Sequence, residues 1–155
     1  MIRSDAEYRE ALKQLEANKH SAQLEREGLI AHGLSEDEVE RAMQPRLSFD
    51  AQLAEETAWY EQVRRREIKP ISNLAHIGRM LIALRIANGM SQKELADRLG
   101  TSESQVSRDE HNEYHNITVA RSQKILNALN EVVSLTIQDA PYQTGNAASG
   151  TNSRH

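Results

Sequence analysis

The sequence predicts a mainly α chain: an N-terminal helical hairpin, a small domain of four to five helices, and one short C-terminal strand. Three observations predict it. Apolar residues recur at helical spacing, as in Ile77, Met80, Leu81 and Leu84 at i, i+3, i+4 and i+7. A serine followed three residues later by Glu or Gln, the signature of a helix start, recurs at Ser4/Glu7, Ser35/Glu38, Ser91/Glu94 and Ser102/Gln105. Strict apolar–polar alternation is found in Val133, Leu135 and Ile137, interleaved with Ser134, Thr136 and Gln138. Only six of the 155 residues are aromatic, which excludes one large core and suits small helical units with narrow apolar seams.

Composition removes several function classes. With no cysteine there is no disulfide framework, thiolate zinc site or cysteine nucleophile. Apolar runs fall far short of the roughly 20 residues that span a bilayer, and Met1-Ile2-Arg3-Ser4-Asp5 lacks the apolar stretch of a signal peptide. The expectation is a soluble cytoplasmic protein with no membrane partner. The net charge of −4 is unevenly divided. Residues 1–69 hold 11 Lys/Arg against 15 Asp/Glu, whereas residues 70–130 hold seven against six. Nucleic-acid binders usually show a basic footprint, so the middle third is the least unfavourable place for one.

In residues 1–69, Tyr8, Leu15, Ala22 and Leu29 recur every seven residues as a packing seam, while Asn18 and Glu25 interrupt its companion positions. Gly33-Leu34-Ser35 breaks this helix. A second begins at Ser35, with Val39, Ala42 and Met43, and Pro45 predicts a break or kink within it. Phe49, Leu53, Tyr60 and Val63 carry the apolar spacing on to Arg64-Arg65-Arg66. Trp59 and Tyr60 are expected to pack across the hairpin, and the three arginines to form a solvated helix end suited to the dipole. Lys69-Pro70-Ile71-Ser72 reads as a linker.

Residues 70–131 are the most specific. The helix of Ile77–Leu84 ends at Asn88-Gly89. Ser91 opens a second that buries Leu95, Ala96 and Leu99 and stops at Gly100. Ser102 opens a third, short and polar, with Val106 as its inward anchor, and Asn112 is expected to end it in a left-handed conformation. Thr118 caps a last helix with Val119, Ile125, Leu126 and Leu129. Two helices joined by a short Gly-containing turn form a helix-turn-helix. Glu103, Ser104, Ser107 and Arg108 fit a helix that presents polar side chains to a groove.

Arg85, Gly89–Ala96, Leu99–Ser102 and Gln105–Arg108 with Glu110 together resemble the Cro/xenobiotic-response-element (XRE) family of helix-turn-helix DNA-binding domains, over about residues 74–130. The resemblance implies a lambda-repressor-like fold and double-stranded DNA as partner. It implies an ion pair of Arg85 with Glu110. It also implies phosphate contact by Gln92, base contact by Glu103, Ser104, Ser107 and Arg108, and phosphate contact by Asn112 and Tyr114; Ser102 and Gln105 complete the DNA-binding set. Asp109 departs from the family, which often has an apolar or aromatic residue there, and Glu103 places an acid at the mouth of the groove. The N-terminal hairpin resembles, on architecture alone, the arrangement of bacterial antitoxin-like regulators.

His111 and His115 have a zinc-compatible spacing, but the expected helix end between them favours loop histidines, and no metal or cofactor is expected. No nucleophile sits in a recognisable elbow, so no enzyme is expected. A lone strand cannot satisfy its backbone. Residues 132–138 are therefore expected to pair with a second copy, burying Val133, Leu135 and Ile137, and residues 139–155 to form a disordered tail. The function these features imply is a transcriptional regulator bound as a homodimer to a near-palindromic operator. The alternative is an antitoxin or other protein-interaction module that neutralises a toxin-like partner through its N-terminal helices and autoregulates its operon.

Overall fold

The computed structural model describes residues 1–137; the expected tail and Gln138 lie outside the described residues. Two long helices, α1 (Asp5–Ala31) and α2 (Glu36–Arg64), form the hairpin. A 3-10 turn (Leu74–His76) then leads into α3 (Ile77–Ala87), α4 (Gln92–Leu99), α5 (Glu103–His111) and α6 (Val119–Leu129). Among the described residues there is no strand. The segment expected to be one has no regular secondary structure, with Val133 42%, Leu135 73% and Ile137 98% exposed. Strand pairing needs a second backbone, and among the described residues this segment finds none.

Local chemistry accounts for the helix ends. Ser35/Glu38 and Ser91/Glu94 form full reciprocal capping boxes, in which the Ser hydroxyl accepts from the N3 amide and the Glu carboxylate accepts from the Ser amide. These amides hold the Glu38 and Glu94 carboxyls below the usual carboxylate range. Ser4 caps Glu7, but the Glu7 carboxylate accepts from the Arg3 amide instead of completing the box.

The hairpin seam buries Ala11, Val39, Met43, Thr57, Tyr60 and Val63. Where the seven-residue repeat is interrupted, polar groups fill the gap. Asn18 Nδ2 donates to Asp50 Oδ1 at 2.5 Å, and Arg46 donates to Glu25 at 2.5 Å, to the Asn18 carbonyl and to Ser21. Of the break or kink expected at Pro45, the break is not there: α2 runs through it from Glu36 to Arg64. Pro45 and Arg41 are exposed, so the carbonyl that loses its donor faces water. Met43 is buried just before it and Arg46, just after it, is bonded to α1, which favours the helix through this point.

The hairpin base and the helical domain share one core. Ile2, Tyr60 and Val63 pack in the same cluster as Leu81, Ile82, Ile86, Leu95, Val106, Ile125 and Leu129. Tyr60 packs across the hairpin as expected, stacked on Tyr8 with ring centroids 5.1 Å apart. Trp59 instead faces α3, with the Arg79 guanidinium 5.3 Å from the centre of its ring. The three arginines at the end of α2 are each neutralised, Arg64 by Asp5, Arg65 by Glu67 and Arg66 by Glu131. Arg66 also donates to Asn88, tying the hairpin to the ends of α3 and α6.

Candidate nucleic-acid interface

The interface is built on α4, the turn after it, and α5. Gly100 takes φ +66°, ψ +35°, which lets the chain reverse in three residues before Ser102 caps α5. Leu95 and Ala96 of α4 and Val106 of α5 are buried, so the two helices are fixed from behind. What remains outward on α5 is polar. Gln92, Glu103, Ser104, Ser107 and Arg108 line one shallow depression of about 410 Å³. Five residues of the expected DNA-binding set therefore converge on one surface from two helices.

Behind that surface stands the pair expected from the resemblance. Arg85 Nε and Nη2 donate to Glu110 Oε1 and Oε2 at 2.5 and 2.7 Å, with side chains only 3% and 0% exposed. The remaining donors of the guanidinium reach the carbonyls of Met90 at 2.7 Å and Arg3 at 2.9 Å. Glu110 Oε2 also accepts from Gln92 Nε2 at 2.8 Å. One buried carboxylate thus joins α3, α4 and α5 and fixes the first residue of α4 at the edge of the depression.

The other expected contacts divide. Ser102 spends its hydroxyl as the α5 cap. Gln105 does not complete a capping box; its amide lies along α5, donating to Asp109 Oδ1 at 2.7 Å and accepting from Arg108 Nη2 at 3.0 Å. Asn112 is exposed at the end of α5, but its φ is −89°, not left-handed. The reversal falls on Glu113 and Tyr114, at φ +49° and +53°. The turn packs closely on Gly78 of α3, where a Cβ would lie 1.9 Å from the Glu113 carbonyl oxygen.

That turn carries Tyr114 inward. Its side chain is 5% exposed and is not offered to a phosphate. Its hydroxyl has no hydrogen-bond partner among the described residues, and burial, followed by the nearby Glu110 charge, pushes its phenol above the ordinary tyrosine range. His111 and His115 are both exposed, and no group of three metal-ligating side chains occurs among the described residues.

The sequence reading missed Arg121. From the first turn of α6 it donates to Asp109 Oδ2 at 2.5 Å, which explains the acid where the family often has an apolar or aromatic residue. The available signal was the cation three residues after the Thr118 cap, one short loop beyond α5.

A family model described as helix-turn-helix matches residues 81–135, from within α3 to beyond α6. Over these residues the chain has the helix-turn-helix fold and is similar to domains of the Cro/XRE type. The match supports a DNA-binding domain of the transcription-regulator type in this part of the chain. No curated protein and no solved structure matches the chain. Among the described residues no helix is long and apolar enough to cross a membrane.

Proposed function

We propose that the chain is a sequence-specific transcriptional regulator that acts as a homodimer on a near-palindromic operator. One observation carries the reading: Gln92, Glu103, Ser104, Ser107 and Arg108 share an outward surface on a helix pair locked from behind by Val106 and the Arg85–Glu110 pair. A recognition helix in the major groove presents its N-terminal side chains to base edges. Arg108 is the only Lys or Arg on α5, and arginine is the commonest specific reader of guanine. A single unit of this size reads few base pairs. Two copies about 34–36 Å apart would give a useful site, and the exposed Val133, Leu135 and Ile137 offer the apolar surface to join them. Regulation would be steric, by occupying a promoter or recruiting a partner to it.

The test is Arg108→Ala in fluorescence anisotropy with selected and random duplexes at fixed salt. A loss of about 1–3 kcal/mol on the selected site, with preference relaxed at one base pair, supports the reading. Equal loss on both duplexes makes Arg108 a phosphate contact instead. The second reading, an antitoxin whose hairpin covers a partner, draws support from Leu24, Ile30, Leu47 and Phe49, large apolar side chains exposed on the hairpin. Co-expression with a neighbouring toxin-like reading frame separates the two, since only an antitoxin restores growth.

A further inference from the structure

The groove side chains of α5 are not free rotors. Asp109 accepts from two directions: from Arg121 Nη2 of α6 at Oδ2, 2.5 Å, and from Gln105 Nε2 of α5 at Oδ1, 2.7 Å. A carboxylate is acceptor-only when ionised, so it dictates which end of the Gln105 amide faces it. With Nε2 committed to Asp109, Oε1 points the other way. There it accepts from Arg108 Nη2 at 3.0 Å. A flipped amide would set Oε1 against the carboxylate and present an NH2 group to a guanidinium, unfavourable at both ends. The four side chains therefore form one hydrogen-bonded line, in which Arg108 donates to Gln105 while Gln105 and Arg121 both donate to Asp109, and it links α6 to the depression Arg108 shares with Gln92, Glu103, Ser104 and Ser107.

We infer that Arg121 and Asp109 are specificity-determining positioning residues, which hold the Arg108 guanidinium through Gln105 in the pose that reads a base. The inference rests on the DNA-binding reading above. Asp109 does not face the groove unmasked: Arg121 neutralises its charge, so an acid at this place costs little phosphate repulsion. Arg121 lies outside the helix pair that touches the groove, so its effect on recognition is indirect and runs through a single chain of contacts. Side chains in one hydrogen-bonded network couple non-additively, and that coupling is what an experiment can read.

The experiment is a double-mutant cycle on the full-length protein. Arg121→Ala and Asp109→Asn are each combined with Arg108→Ala, and binding is measured to the selected duplex, to single-base-pair variants of it and to random DNA, across a salt series. The expected result is that Arg121→Ala and Asp109→Asn each lower discrimination about five- to thirtyfold at the base pair that Arg108→Ala relaxes, and at no other. In the Arg108→Ala background neither change has a further effect on that base pair. Arg121→Lys, which keeps the charge, recovers part of the discrimination. Thermal melts of the variants accompany the cycle; because Arg121 is exposed and at the surface, a change confined to one base pair is not explained by unfolding.

A uniform loss on all duplexes with a shallower salt dependence makes Arg121 a phosphate contact and overturns the inference. Additive effects, or unchanged discrimination, overturn it as well while leaving the DNA-binding reading intact. A wild-type protein with no sequence preference overturns both.

Discussion

Replacing Glu110 tests the framework beneath the interface. Arg85 and Glu110 are joined at 2.5 and 2.7 Å with 3% and 0% exposure, so the weak figures for exposed ion pairs do not apply. Glu110→Ala leaves a buried guanidinium with only the Met90 and Arg3 carbonyls and frees the Gln92 amide. Breaking a buried pair on one side costs about 3–5 kcal/mol, which for a chain of this size lowers the melting temperature by roughly 10 °C. Arg85→Met strands the carboxylate and should cost about as much. The double variant Arg85→Met/Glu110→Leu leaves no uncompensated charge and should be more stable than either single variant. Urea unfolding followed by circular dichroism, with the denaturant slope unchanged, reads these values. Singles that each cost under about 1 kcal/mol, or a double variant as unstable as the two singles added, would refute the reasoning.

Other outcomes follow from the same packing. Leu135→Asp, at a side chain 73% exposed in the single chain, should leave the melting temperature nearly unchanged, shift sedimentation toward monomer and weaken operator binding; a tight dimer places the interface elsewhere. Tyr114→Phe removes a buried hydroxyl without a partner among the described residues and should be neutral or stabilising by about 1 kcal/mol near pH 7. Because the folded phenol titrates above its unfolded value of 10.0, wild-type stability is complete below that pH and falls as pH rises past it; the variant should lose part of this alkaline slope. Gly78→Ala forces a Cβ to 1.9 Å from the Glu113 carbonyl oxygen and should cost at least the roughly 1–3 kcal/mol of overpacking, measured by the same urea titration.

Much of the helical domain was legible because its signals are local and agree. Ser91, Gly100, Ser102 and Thr118 cap or reverse the chain where their chemistry requires, and Leu95, Ala96 and Val106 fall on buried faces. The misjudged points depend on distant contacts. Pro45 is tolerated where Arg46 bonds α2 to α1 beside it. Asn112 cedes the left-handed position to Glu113, in a turn whose backbone packs against Gly78, far earlier in the chain. Tyr114 looks like a surface tyrosine in sequence and is carried into the core by that same turn. Ile2 and the Arg3 carbonyl, which enter the core and cap Arg85, follow no periodic pattern at all.

Those same contacts tie the hairpin to the helical domain. The hairpin's acidic surface shows no groove-reading pattern, so on that ground alone a fragment of residues 70–155 would keep sequence preference. Loss of Ile2, Tyr60 and Val63 from the shared core, and of the Arg3 carbonyl from Arg85, is expected to destabilise such a fragment before its preference can be read.

The central claim is that two copies of the α4–α5 surface read DNA by sequence. Selection of bound duplexes from a random pool by the full-length protein, at about 0.15 M salt, tests it most directly, because non-specific affinity depends so strongly on salt. The account predicts enrichment of an inverted repeat whose half-sites lie 10–10.5 base pairs apart, centre to centre, with the Arg108→Ala protein losing one base pair from each half-site. A pool that stays random, or binding that vanishes equally for every sequence as salt is raised, would contradict it.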